Sequence, residues 1–330
     1  MRPDATSGPE VSIVVGVRNG VAQLEAALQS LLAQRGVDLE LIVVDDGSTD
    51  GTPQLLATAA ARDARIRVLR QDALGLTAAL IRGCAEARAP FIARQDADEV
   101  SHPDRLRRQL DAFAAHPELA LVSCWTEQLA PRGEPLRVER GRGDTADRPV
   151  PMFERDAEGR VHVVAGPSQH GSTMFPTELY SRVGGYRAAF GVAQDWDLWL
   201  RLAQHGPFLA VGAVLLTTNL DVRSLSFAVR DVQMALGAAA TEALARRLAG
   251  ASEADCLAQA ESLSRQLATL RQRRRRRTEA LGLYHIGEGL RRQRHPASLS
   301  YLGAALRRNP FLLRAWIRAG QAVLATAAGA

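Results

Sequence analysis

The chain contains no lysine: all 41 of its basic residues are arginine, set against 36 Asp and Glu for a formal net charge of +5 over 330 residues. Such usage follows readily from a GC-rich genome and by itself excludes little. Aromatic residues make up only 5% and none interleaves the arginine runs, which disfavours a nucleic-acid surface built on base stacking. Cysteine is scarce and odd in number, Cys84, Cys124 and Cys256, with no metal-like spacing, so reduced, buried thiols in a cytosolic compartment are expected. Apolar runs long enough to span a bilayer are also missing. Phe311 to Ala328 is interrupted by Arg314 and Arg318, and Phe208 to Leu216 is too short. The opening MRPDATSGPE lacks the apolar stretch of a signal peptide and is expected to be a disordered lead-in over residues 1–10.

What is present is 46% hydrophobic residues, which excludes global disorder, arranged in a strand–helix rhythm. Apolar runs at 11–15, 39–44, 66–69 and 91–94 read as buried strands; Val21, Leu24, Ala27, Leu28, Leu31 and Leu32 recur at helical spacing between the first two. Further helices are expected at about 53–61 and 76–88, and one from Ser101 and Pro103 that carries Leu106, Leu110 and Phe113 and stops before Pro117. A strand at 119–125 follows. The alternation predicts βαβ units and a largely parallel sheet. Residues 130–167, rich in Arg, Gly, Pro and Asp and poorly periodic, are expected to be a long loop region with little regular structure.

Two acidic signatures, VVDDGSTDGT (Val43 to Thr52) and RQDADE (Arg94 to Glu99), each follow a predicted strand, so both place carboxylates at the carboxyl edge of the sheet, where open α/β sheets bind ligands. Ser48 to Asp50 are expected to shape the turn and cap the next helix. VSIVVGVRNG (Val11 to Gly20), VVDDGSTDGT, GLTAALIRG (Gly75 to Gly83), ARQDADE, VGGYR (Val183 to Arg187) and QDWDLWLRL (Gln194 to Leu202) stand in the order and spacing of the family 2 glycosyltransferases, which the chain resembles over roughly residues 10 to 226. That resemblance implies an α/β GT-A fold, Rossmann-like with a mostly parallel central sheet flanked by helices, and inverting transfer from a nucleoside diphosphate sugar, a UDP-sugar foremost, to a hydroxyl of a glycan or lipid-linked acceptor in cell-envelope polysaccharide synthesis. It places Val17, Asn19, Asp45, Asp46 and Asp96 on the donor; independently of it, Arg70 and Arg82 are candidates to reach the donor phosphates through their planar fork, although each also reads as a solvated arginine. Asp96 and Asp98 match the family's DxD element for Mg²⁺ or Mn²⁺, and Asp221 falls where relatives supply a further metal ligand. Asp195 matches the general base, with Gln194 where a glutamate is usual; His170 and Trp196 fall near the acceptor, although both also read as structural residues. Rival readings are a non-catalytic nucleotide-sugar-binding module and a dinucleotide-dependent oxidoreductase, the latter disfavoured because VGVRNG lacks a glycine-rich phosphate turn.

Beyond residue 226 the composition changes to Ala, Leu and Arg with helical periodicity, giving expected units of 11–226 for the transferase and 227–330 for a basic helical region. From Phe227 to Ala330 there are 17 Arg against 7 Asp and Glu, a charge of +10, whereas the remainder, 24 against 29, carries −5. The run Arg271 to Arg277 suggests an anionic membrane partner and a peripheral place at the inner face of the cell membrane. Ala280 to Pro310 faintly resembles a tetratricopeptide helix pair, and Phe311, Leu312, Trp316 and Ile317 are available for either an interfacial face or packing.

Overall fold

The computed structural model describes residues 8–143, 145–220, 230–273 and 275–327, with side chains except at 268–278 and 324–327. Asp221, the expected boundary at 226/227 and the side chains of Arg271 to Arg277 lie outside what is described. The N-terminal half follows the predicted rhythm. Strands β1 (Val11–Val17) and β2 (Leu39–Asp46) are buried along their whole length, as β-branched and apolar runs must be when helices cover both faces. They alternate with α1 (Leu24–Leu32) and α2 (Thr52–Arg62), then β3 (Ile66–Gln71), α3 (Leu76–Ala85) and β4 (Phe91–Arg94). Leu24, Ala27, Leu28 and Leu31 form the buried stripe of α1, but Val21 precedes the helix and is exposed.

Next come β5 (Glu99–Ser101), α4 (Arg105–Ala115), β6 (Leu121–Leu129) and β7 (Pro135–Glu139). β8 (Phe153–Arg155) pairs with β9 (Val161–Val163) as a separate hairpin. A 3-10 turn at His170–Ser172, β10 (Met174–Pro176), α5 (Thr177–Arg182), α6 (Gln194–Leu202) and β11 (Phe208–Asn219) complete this part. The sheet runs β3-β2-β1-β4-β10-β6-β11-β5, with β7 beside β6. β3, β2, β1 and β4 are mutually parallel; β10 runs antiparallel between β4 and β6, and β11 returns parallel to β6. The chain thus crosses from β1 to β2 on one side and to β4 on the other, which opens a crevice at the carboxyl ends of these strands.

One expectation fails in part. The region 130–167 holds β7, β8 and β9 rather than little regular structure. β7 is stabilised by antiparallel pairing with β6, a non-local ladder that a short, polar, Pro-started strand does not advertise.

Five helices follow: α7 (Arg230–Leu248), α8 (Ala254–Arg273), α9 (Arg275–Arg292), α10 (Ser298–Arg308) and α11 (Leu313–Ala327). They dock at two places. Val232, Leu236, Ala240 and Leu244 of α7 share a core with Phe190, Leu200 and, from α8, Ala260 and Leu267. Leu283, Ile286 and Leu290 of α9 and Tyr301 and Ala305 of α10 close over Ala130 and Leu136 of the β6–β7 hairpin. The tyrosine hydroxyl of Tyr301 also donates to Glu134 Oε2 at 2.9 Å. The predicted helix pair therefore exists, seated on the sheet's edge.

Candidate active site

The site grows from the carboxyl ends of β1, β2 and β4. Register places Val17 of β1 opposite Asp45 of β2, and β4 ends on the other flank of β1 with Val14 opposite Arg94. Beyond the strands, two loops are tied together. The Asn19 N–H donates to Ser48 Oγ at 2.9 Å, the Thr49 N–H donates to Asn19 Oδ1 at 2.8 Å, and the Gly20 N–H donates to Thr52 Oγ1 at 3.0 Å. Asp50 accepts from the Thr52 N–H at 2.9 Å, the turn-shaping role expected of it.

The two aspartates closing β2 are used differently. Asp46 accepts from Gln71 Nε2 and the Leu74 N–H, both at 2.8 Å, and Oδ2 accepts from the Gly75 N–H at 2.9 Å, so its carboxylate is committed to fixing the loop into α3. Gly47, at φ 68°, permits this close turn: a Cβ there would lie 2.8 Å from the Ala73 nitrogen. Asp45 accepts the Ser48 N–H on Oδ1 at 3.0 Å, but its buried Oδ2 has no hydrogen-bond donor, with Arg70 Nε 3.8 Å away. A buried carboxylate oxygen without a donor is costly, and a ligand N–H or hydroxyl would relieve it. Arg82 donates to the Arg70 carbonyl at 2.6 Å and so stands beside the same edge.

A cleft of about 670 Å³ opens at this edge, lined by Val17, Arg18, Asn19, Asp96, Asp98 and, from the far side, Pro131, Asn219 and Leu220. It brings together four of the sequence-predicted residues, and it adds Arg18. Asn219 and Leu220 immediately precede Asp221 in the chain.

Beneath the DAD element lies a network that sequence reasoning missed. Arg94 is fully buried, donates to the Val14 carbonyl at 3.2 Å and holds Asp96 Oδ1 through Nη2. Burial opposes the charged form of Asp96, but Arg94 outweighs it and draws its pKa below the usual aspartate range. The Asp96 N–H donates to Glu99 Oε2 at 2.8 Å, and burial together with the charge of Asp96 pushes Glu99 up to about 8. Glu99 lies against Gly171, where a Cβ would come within 1.6 Å of Oε2. Arg105, also fully buried, donates to the Gly171 carbonyl at 2.5 Å and to the Arg94 carbonyl at 3.1 Å. The signal available in the sequence was an arginine closing an apolar strand next to three acids.

Two carboxylates at alternate positions, one of them exposed in the cleft, make a donor set suited to a hard divalent cation. Among the described residues no cluster of three His, Cys, Asp or Glu groups is present; Mg²⁺ commonly binds through one or two carboxylates, with water and substrate phosphate oxygens completing its shell.

Asp195 heads α6, following Ala193 in the left-handed conformation at φ 59°. Its Oδ1 accepts the Trp196 N–H at 2.8 Å. Burial, opposed by that N–H and reinforced by the charge of Asp96, raises its pKa. Asp197 is a structural anchor, paired with Arg201 at 2.7 Å and Arg187 at 3.0 Å. His170 is bonded to the Tyr186 hydroxyl at 2.7 Å, and burial with the nearby Arg94 pushes its pKa down to about 3, so it is neutral. Trp196 is half-buried, donates to Thr241 Oγ1 at 3.3 Å and packs against the core that α7 shares with Phe190 and Leu200.

The model of Glycosyl transferase family 2 matches residues 12–167. EpsE of Bacillus subtilis (strain 168), named as a glycosyltransferase, is 31% identical over 204 residues, covering 61% of this chain and 69% of its own length. The chain belongs to glycosyltransferase family 2. Within the family it is also similar to the chondroitin synthase of Escherichia coli, 25% identical over 225 residues, 68% of this chain but 31% of that protein. Among solved structures, S. aureus TarS 1-349 in complex with UDP-GlcNAc superposes with a TM-score of 0.55 at 15% identity, covering 95% of this chain and 89% of that one. The mannosyltransferase PcManGT of Pyrobaculum calidifontis, in complex with GDP-Man and Mn²⁺, gives 0.52 at 17% identity, covering 99% and 88%. At these identities the likeness establishes the GT-A fold, which the mixed central sheet and flanking helices match.

Proposed function

We propose that this family 2 glycosyltransferase is an inverting enzyme that moves a sugar from a nucleoside diphosphate donor, a UDP-sugar foremost, to a hydroxyl of a glycan or lipid-linked acceptor at an anionic membrane surface. The observation that carries the reading is the gathering of Val17, Asn19, Asp96 and Asp98 in one cleft at the strand ends, where Asp45 Oδ2 is buried without a donor; Asp195, whose pKa is raised by burial and by the charge of Asp96, is the candidate base. Asp45 Oδ2, without a donor of its own, would accept from the nucleoside, with Val17 beside it and Asp46 holding the adjoining loop. Asp98 and Asp96 would hold Mg²⁺ or Mn²⁺ against the diphosphate, with Asp221 as a candidate third ligand; such a cation offsets charge on the leaving group. Arg18, in the cleft, and Arg70, at its edge, are further candidates for the phosphates.

The acceptor oxygen attacks the anomeric carbon as its proton passes to Asp195, and the bond from that carbon to the diphosphate oxygen breaks on the opposite face, so configuration inverts and the nucleoside diphosphate departs. A carboxylate made more basic by burial is a better proton acceptor at neutral pH than an exposed one. Arg94 keeps Asp96 oriented and ionised. The test pairs two variants. Asp195→Asn should keep UDP binding and lose transfer by roughly 10² to 10⁴-fold, whereas Asp98→Ala should lose the thermal stabilisation that UDP gives in Mn²⁺ while the fold persists. Transfer by Asp195→Asn near the wild-type rate would remove the assignment, and absence of any UDP-sugar turnover in the parent would favour a binding module.

A further inference from the structure

Helix α11 turns its apolar residues the wrong way for a soluble domain. Its small residues Ala315 and Ala322 are buried on the side that meets α9 and α10. Leu313, Trp316, Ile317 and Val323 fall on one stripe by helical spacing and are 70%, 57%, 51% and 53% exposed. Phe311, in the turn that enters the helix, is 94% exposed, the most open large apolar residue described. Leu312 alone of this group packs inward, against the core beneath α9 and α10. An apolar stripe of this extent is an interaction surface rather than scattered surface residues.

Charge decides what covers it. From Gly289 to Ala330 there is no Asp or Glu and there are seven Arg. Arg307, Arg308 and Arg314 are exposed on α10 and α11; Arg308 pairs with Glu279 at 3.0 Å and Arg318 with Glu288 at 3.5 Å, while among the described residues Arg307 and Arg314 make no ion pair. The charge left uncompensated beside Phe, Leu, Trp and Ile is positive, which suits a sheet of anionic head groups. The Trp316 indole N–H already donates to the Pro310 carbonyl at 2.9 Å, so the ring can enter an apolar phase without stranding its donor. No helix among the described residues is long and apolar enough to cross a membrane, so α11 would lie in the interface plane.

We infer that the face of α11 formed by Phe311, Leu313, Trp316 and Ile317, together with Arg307, Arg308 and Arg314, is an interfacial membrane anchor for anionic bilayers. The inference rests on the peripheral placement in the proposed function and specifies which residues accomplish it. α9 and α10, which carry α11, clamp the β6–β7 hairpin whose Pro131 lines the donor cleft. Anchoring through α11 therefore sets the cleft near the surface where a lipid-linked acceptor is presented.

The full chain is tested with phosphatidylcholine vesicles of rising phosphatidylglycerol content at low and high salt, by cosedimentation and by quenching of tryptophan emission with brominated lipid. Binding should rise with anionic lipid and fall with salt, and quenching should vanish in Trp316→Phe, since the other tryptophans belong to the transferase part. Combined Phe311→Ser, Leu313→Gln, Trp316→Gln and Ile317→Gln should weaken binding by about tenfold or more, with UDP-sugar hydrolysis unchanged. If that variant binds as the parent does, while glutamines in place of Arg271 to Arg277 abolish binding, the placement stands and the α11 anchor falls. Absence of vesicle binding removes both. A dimer in solution that dissociates in the α11 variant overturns the anchor in favour of a second copy.

Discussion

In β1 and β2 every residue is buried, and apart from Asp45 Oδ2, which has no donor, charge in this layer is held by partners: Glu40 by Ser12, Arg67 and the Arg88 N–H, Asp46 by the loop before α3, and, at the end of the adjoining β4, Asp96 by Arg94. In α11 Ala315 and Ala322 are buried while Leu313, Trp316 and Ile317 face outward, beside Arg314, which makes no ion pair among the described residues, and Arg318, which pairs with Glu288 at 3.5 Å. Both segments are rich in apolar residues. What separates them is whether a second layer receives those residues: the sheet has helices on both faces, whereas among the described residues none covers the outer face of α11. The difference teaches that apolar content marks a core only where topology supplies a partner.

This contrast can be broken most severely at Arg94. Arg94→Met leaves Asp96, which is part-exposed in the cleft, without its partner and removes a donor from the buried Val14 carbonyl, so it should destabilise by about 1 to 3 kcal/mol, read by urea unfolding, and should also weaken UDP binding through Asp96. A variant as stable as the parent would mean that the buried charge is dispensable and that the two regions differ less than their burial suggests.

A smaller effect should come from His170. Its pKa is about 3 when folded, against an ordinary value of 6.5, because burial and Arg94 disfavour the proton. Above pH 6.5 neither state holds that proton and the contribution is fully present; as pH falls from 6.5 towards 3 the unfolded chain takes it up first, and stability is lost. His170→Gln, which can still bond Tyr186, should remove that part of the slope. An identical pH dependence of unfolding in both proteins would contradict a buried neutral histidine.

The smallest effect belongs to α11. Leu313→Gln should change the stability of the free protein by no more than about 0.5 kcal/mol, whereas Ala315→Leu on the opposite side should cost about 1 to 3 kcal/mol by overpacking. Reversal of this order in thermal unfolding would mean that the exposed stripe is packed in solution.

The sequence by itself determined β1 to β4 and the helices between them, since strands buried on both faces must be continuously apolar and the acids begin where the apolar run stops. It also determined the family, through motifs that lie together in the chain, and the helical nature of the described residues from 230 to 327. The strand β7 was decided only by tertiary structure, because its ladder is supplied by β6 and its own residues are polar. The division of labour between Asp45 and Asp46 was likewise hidden: adjacent and chemically identical, they differ only in that the loop before α3 folds back to give Asp46 its donors. Arg94 and Glu99 sit in plain view beside the DAD element, yet their burial depends on β10, Gly171 and Arg105, which arrive from elsewhere in the chain. For α11 the periodicity announces an amphipathic helix but not which side faces out, since that depends on where α9 and α10 carry it. Local pattern fixes what each segment can be, and packing between distant segments fixes which of its faces and charges are left for chemistry.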